Sequence, residues 1–197
     1  LSSQKVGATV ADDVTRKAII AVVISLVVMF AYIAIRFRRW QYGLSSVVCL
    51  AHDTLIVLGM YSLFNNVLPF TMEVNQSFIA AVLTVIGYSI NNTVVIFDRV
   101  RENVNLFPKK GWKERFNSAN NSTLLRSINT SGTTIVVLLA IFIFGGETIR
   151  GFVFALLVGM LAGTFSSLFI ASPLAYKLFK GKEYDAQLEQ VADKKRK

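Results

Sequence analysis

Five stretches of mostly apolar residues, roughly 18–35, 44–64, 78–97, 123–144 and 152–174, constrain this chain more than anything else in it. Each approaches the ~20 residues that a helix needs to cross the hydrocarbon of a bilayer. Charge is correspondingly scarce. Only 17% of the 197 residues are charged, 53% are hydrophobic and the mean hydropathy is +0.52. A soluble domain of this length would expose more charge. The expected fold is all-α, a polytopic transmembrane bundle over 18–176, with an outer lead-in over 1–17 and a tail over 177–197.

Basic residues set the orientation. The stretches 36–43, 98–122 and 177–197 carry sixteen Lys and Arg, against four in 1–17, 65–77 and 145–151. The positive-inside rule therefore places the N-terminus outside and both the 98–122 connection and the C-terminus in the cytoplasm. The net charge of +9 is then a topology signal and an attraction to anionic membrane lipids, and no nucleic-acid partner is needed. Cys49, the only cysteine, lies within a span, so no intrachain disulfide forms. An N-out chain that opens at Leu1, with no signal-peptide pattern, is expected to be the downstream part of something longer.

Only one inner connection, "RVRENVNLFPKKGWKERFNSANNS", is long. Val100, Val104, Phe107, Trp112 and Phe116 interleave there with basic residues. This fits two short amphipathic pieces, broken at Pro108 and Gly111 and lying on the membrane surface, or an ordinary solvated loop. In the last span, Ala155, Gly159, Gly163, Ser167 and Ala171 recur every fourth residue. Small residues on one face let backbones approach closely in lipid, so Gly159 and Gly163 are expected at a helix-packing seam. No metal-ligand cluster, Gly-rich phosphate loop or nucleophile motif stands out, so no metal, no cofactor and no enzymatic chemistry is expected.

Ionisable groups inside a membrane cost a few kcal/mol on insertion scales, which makes each a functional candidate. His52 and Asp53 fall near mid-membrane in the second span. Asn91 and Asn92 occupy the third, which ends at Asp98. Arg126 enters the fourth and shares a helix face with Asn129, Thr130 and Thr133. Asn92 lies six residues inside Asp98, about 9 Å, and Arg126 four residues inside Ser122, about 6 Å. Antiparallel spans then allow Asn92 and Arg126 to face each other at similar depth. Plainer roles compete. His52 and Asp53 could be a satisfied polar pair, Arg126 could snorkel to the inner surface, and the asparagines could be interhelical glue worth about 0.6 kcal/mol per bond.

Several motifs occur in order along nearly the whole chain: "VGATVADDVTRKA", "RFRRWQYGLSSVVCLAHD", "GYSINNTVVIFDRVREN", "RSINTSGTT" and "FGGETIRGFVFALLVGMLAGTFSS". Together they resemble the SecF family, the smaller membrane subunits of the SecDF accessory complex of bacterial protein export. The resemblance implies five spans of a six-helix half-bundle of the resistance–nodulation–division (RND) type, in the bacterial inner membrane with a periplasmic lead-in. It implies SecD, or a fused SecD half, as the matching bundle, with the SecYEG channel, YajC and preprotein as further partners. It also implies coupling to the proton-motive force or another ion gradient.

The family usually reads Gly-Tyr-Ser-Ile-Asn-Asp, and the last residue is implicated in proton movement near the Arg of the fourth span. Here Asn92 takes that place while Arg126 is retained. Asn approximates the shape of a protonated Asp but exchanges no proton. Either the change freezes a protonated-like state by design, or it is natural and coupling rests on the partner half or another ion. Asn92 and Arg126 are the expected interhelical switch, with His52, Asp53, Asn91, Thr130 and Thr133 along a secondary polar path. The rival functions are a passive scaffold for partner and channel, and an RND-type exporter of a lipid or small molecule.

Overall fold

The computed structural model describes residues 8–65, 67–107 and 110–180. Helix α1 spans Ala8–Phe37, α2 Trp40–Phe64, α3 Gln76–Leu106 and α4 Trp112–Phe144. The last crossing is one rod made of α5 (Glu147–Ser166), a π-helical turn (Ser167–Ala171) and α6 (Ser172–Leu178). Among the described residues there is no strand, and five helices are long and apolar enough to cross a membrane. The fold is all-α, the architecture in which backbone groups bond within their own helix, as lipid requires.

The connections follow from local chemistry. Arg38 turns the chain between α1 and α2 with a positive φ of 54°. Asn75 caps α3, its side chain accepting from the Phe78 N–H at 3.0 Å. Between α4 and α5 the N–H of Gly145 donates to the Ile141 carbonyl at 2.7 Å, and a Cβ on Gly145 would overlap that carbonyl.

Residues 98–122 are broken between Leu106 and Trp112, the stretch that holds Pro108 and Gly111, as expected. The two pieces are not separate short helices, because they continue α3 and α4 out of the spans. The aromatic side chains explain the difference. Trp112 stacks on Phe179 with centroids 5.0 Å apart, and Phe116 packs edge-on against Tyr176 at 6.0 Å. Val100 and Phe116 are buried in the bundle, so these apolar residues turn inward rather than into lipid. The tail beyond Lys180 and residues 1–7 of the lead-in lie outside the described residues, while the rest of the lead-in is the start of α1.

Helices α2, α3 and α5 form the centre, α1 packs on α2, and α4 packs on α3 and α5. Outermost is α1, where Ile19, Val27 and Ile35 are 60% exposed or more. Aromatic clusters close both ends of the centre. Phe37, Tyr42, Phe97 and Phe179 meet at the basic end, and Tyr61, Phe78, Phe70 and Phe154 at the other. Between these aromatic caps the apolar core also takes in buried polar side chains, among them Asp53, Ser89 and Asn92.

Candidate functional site

On α2, Cys49 and Asp53 stand one helical turn apart on the same inward face. Asp53 is wholly buried. Ser89 of α3 donates its hydroxyl to Asp53 Oδ2 at 2.6 Å, and His52 Nδ1 lies 3.2 Å from Asp53 Oδ1. The His52 side chain is 37% exposed, so the pair runs from the bundle surface to its interior. A turn further along α2, Cys49 Sγ donates to Ser166 Oγ of α5 at 3.1 Å.

Glycines on α5 close this seam. A Cβ on Gly159 would occupy the space of the Val85 side chain on α3. One on Gly163 would stand 2.9 Å from Ser89 Oγ and 3.4 Å from Asp53 Oδ2. Backbone approach at Gly163 therefore brings α5 directly against the Asp53–Ser89 bond. Larger residues at these positions would hold the helices apart.

Asn92 is buried in the α3–α4–α5 contact. Its Nδ2 donates to Ser131 Oγ at 3.3 Å. The same hydroxyl lies 2.7 Å from Thr164 Oγ1 of α5 and accepts from the Tyr88 hydroxyl at 3.4 Å. Ser131 is thus the meeting point of three helices.

Arg126 does not join this group. Helix α4 turns Thr123, Ser127 and Ser131 inward, which leaves Arg126, Asn129, Thr130 and Thr133 on its exposed side. Among the described residues no hydrogen bond or ion pair links Arg126 to Asn92. Arg126 instead lines a cavity of about 410 Å³ at the basic end, with Arg36, Asp98, Arg99 and Glu102. Arg99 is committed to Glu102 at 2.5 Å. Asn91 is exposed on the neighbouring surface, in a depression with Tyr32, Thr84 and Tyr88. Thr133 and Thr134 donate to the Thr130 carbonyl of their own helix, each at 3.0 Å.

Two sets of polar residues emerge, one sealed between α2, α3 and α5, the other open on α3 and α4. Asp53, Asn92 and Arg126 stand out in the sequence, but the expected facing of Arg126 and Asn92 is not formed, and Ser89, Ser131, Thr164 and Ser166 carry no comparable signal. The hydroxyls of Ser and Thr return readily to their own helix backbone, so in sequence they carry little signal. The i, i+4 spacing of Ser127 and Ser131 was the available clue. Among the described residues no group of three or more His, Cys, Asp or Glu could hold a metal.

The family described as "Protein export membrane protein SecD/SecF, C-terminal" matches residues 1–181. The chain belongs to the SecD/SecF C-terminal family. Protein translocase subunit SecF of Rhodothermus marinus is 51% identical over 173 residues, 88% of this chain and 56% of that protein. The SecF subunit of Sebaldella termitidis is 43% identical over 179 residues, 90% of this chain and 56% of that protein. SecDF of Thermus thermophilus, a longer chain, is 40% identical over 174 residues, 88% of this chain and 23% of its own length. A crystal structure of SecDF in a super-membrane-facing form superposes with a TM-score of 0.75 at 37% identity, covering 96% of this chain and 24% of that one. The chain spans about half the length of these SecF relatives.

Proposed function

We propose that this chain is the membrane bundle of an accessory subunit of Sec-dependent protein export in the bacterial inner membrane. It assists preprotein translocation with the proton-motive force, as a motor component rather than an enzyme of covalent chemistry. Its partners are a SecD bundle, separate or fused, and the SecYEG channel, with the N-terminus outside. The exposed polar face is the observation that carries this. Asn91, Asp98, Arg126 and Thr130 look outward from apolar helices, and such groups in a membrane face protein or water rather than lipid. Support for SecD as the covering bundle comes from the SecDF relative, in which a SecF-like portion is part of one longer chain.

Position 92 gives the face an internal counterpart. The Asn92 amide donates to Ser131, which a carboxylate cannot do and a protonated carboxyl can. Asn92 thus holds the neutral arrangement permanently, and Arg126 stands clear of it. A specific observation favours a second reading, the passive scaffold: Asn92 itself exchanges no proton.

The deciding experiment reconstitutes the complete complex and measures gradient-dependent ion flux and preprotein export, with Asn92 and with Asn92→Asp side by side. Gain of flux and export by the Asp form marks this chain as a locked state of a proton-driven motor. Equal, gradient-dependent behaviour of both places coupling elsewhere than position 92. Loss of any gradient response in both leaves the scaffold.

A further inference from the structure

Among the described residues Asp53 is the one carboxyl buried in the bundle, and its surroundings are incomplete for a permanent anion. Among the described residues no lysine or arginine reaches it, and its ion-pair partner is His52, the only histidine of the chain. The groups around it are few. From α2 come His52 and Cys49, from α3 the hydroxyl of Ser89 with Thr93 nearby, and from α5 the backbone of Gly163. Between Lys17 and Arg36, helix α1 brings no ionisable side chain except the phenol of Tyr32. A buried carboxylate with no fixed cation beside it is expensive.

His52 supplies the route. Its ring touches Asp53 on one side and is partly exposed on the other. We propose that Asp53, reached through His52, is a proton-binding carboxyl of this bundle, and that α5 reads its state at Gly163. This rests on the export-coupling function above and names a carrier for the proton other than position 92.

The step balances simply. A proton joins Nε2 of neutral His52, the Nδ1 proton passes to Asp53 Oδ1, and the imidazole is neutral again as its other tautomer. The new Oδ1–H then donates back to Nδ1. On the far oxygen, Ser89 now donates to a neutral carboxyl, and a charge-assisted bond becomes an ordinary one. Gly163 lies against that bond, so α5 is the element that registers the change. Four residues on, the same rod enters the π-helical turn at Ser167, with Cys49 bonded to the residue before it. Single π-turns inside helices frequently mark functional sites, where a small change in winding is within reach.

The test uses the full-length protein with its partner bundle in proteoliposomes. It compares gradient-driven proton flux in the natural sequence, Asp53→Asn, Asp53→Glu and His52→Gln, with unfolding midpoints run in parallel. The expected result is loss of flux in Asp53→Asn, partial recovery in Asp53→Glu, and a displaced pH profile in His52→Gln. Undiminished flux in a folded Asp53→Asn overturns the proposal. If that variant does not fold, an unchanged pH profile in His52→Gln overturns it instead. Should the natural sequence itself show no gradient response, the export-coupling function fails separately. Infrared spectroscopy then decides for Asp53: a carboxyl stretch that changes with pH and is altered by His52→Gln supports proton binding, and its absence overturns it.

Discussion

Helix α3 carries two polar surfaces that differ in what they leave unfinished. Ser89 and Asn92 point into the bundle, where Asp53 and Ser131 meet them and the glycines of α5 close the gap. Asn91 and Asp98 point out, beside an Arg126 that has no bonded partner among the described residues. In water both surfaces would be unremarked, since solvent would complete either one. In lipid only the first is self-sufficient, and the second requires another protein surface or water. Direction, more than residue type, separates a group that holds this bundle together from one that awaits a partner.

The comparison is broken most forcefully at the glycines. Gly159→Leu would drive a side chain into Val85 and separate α5 from α3, at a cost of about 3 kcal/mol or more for overpacking. Gly87 lies on the open depression of α3, with nothing within 4 Å of where its Cβ would stand. Gly87→Leu should therefore leave the unfolding midpoint in detergent near that of the natural sequence while Gly159→Leu lowers it sharply. Equal behaviour would mean that the sealed seam is no tighter than the open face.

A smaller contrast separates the charged groups themselves. Asp53→Ala leaves the Ser89 hydroxyl buried without its acceptor, a loss of about 2 kcal/mol. Arg126→Ala removes no bond within the bundle, so its midpoint should not move, yet gradient-stimulated export should fall in the complete complex. Reduced stability with unaltered export in Arg126→Ala would reverse the assignment and favour a scaffold.

How much of this was legible in the sequence follows from the same asymmetry. The spans were legible because lipid demands a long apolar run, and the glycine repeat because close packing demands absent side chains. Asp53 stood out because a carboxyl in such a run is costly. Helix rotation was not legible. Arg126, Asn129, Thr130 and Thr133 share a face, but the polar stripe one residue along, Thr123, Ser127 and Ser131, is the one that turns inward. Two adjacent polar stripes differing by about 100° cannot be ranked by periodicity alone. The 98–122 connection misled for a related reason. Its spaced aromatics are compatible with a lipid surface, and only the return of Phe179 and Tyr176 from the last crossing supplies the protein surface they pack on.

The finest test lies at Ser131, where the sealed region reaches α4. Its hydroxyl meets Asn92, Tyr88 and Thr164, yet interhelical hydrogen bonds in membranes average only about 0.6 kcal/mol because the unfolded chain finds other partners. Ser131→Ala should therefore cost about 1 kcal/mol, well below either the glycine or the Asp53 substitution. A double-mutant cycle with Asn92→Ala separates the Asn92 bond from the rest, since Tyr88 and Thr164 keep their own contributions. A coupling near the average bond value means that Asn92 is held by Ser131 and bears on α4 through it. Additive losses would mean that Asn92 is merely buried beside Ser131. The neutral arrangement at position 92 would then have no mechanical route to the helix that carries Arg126.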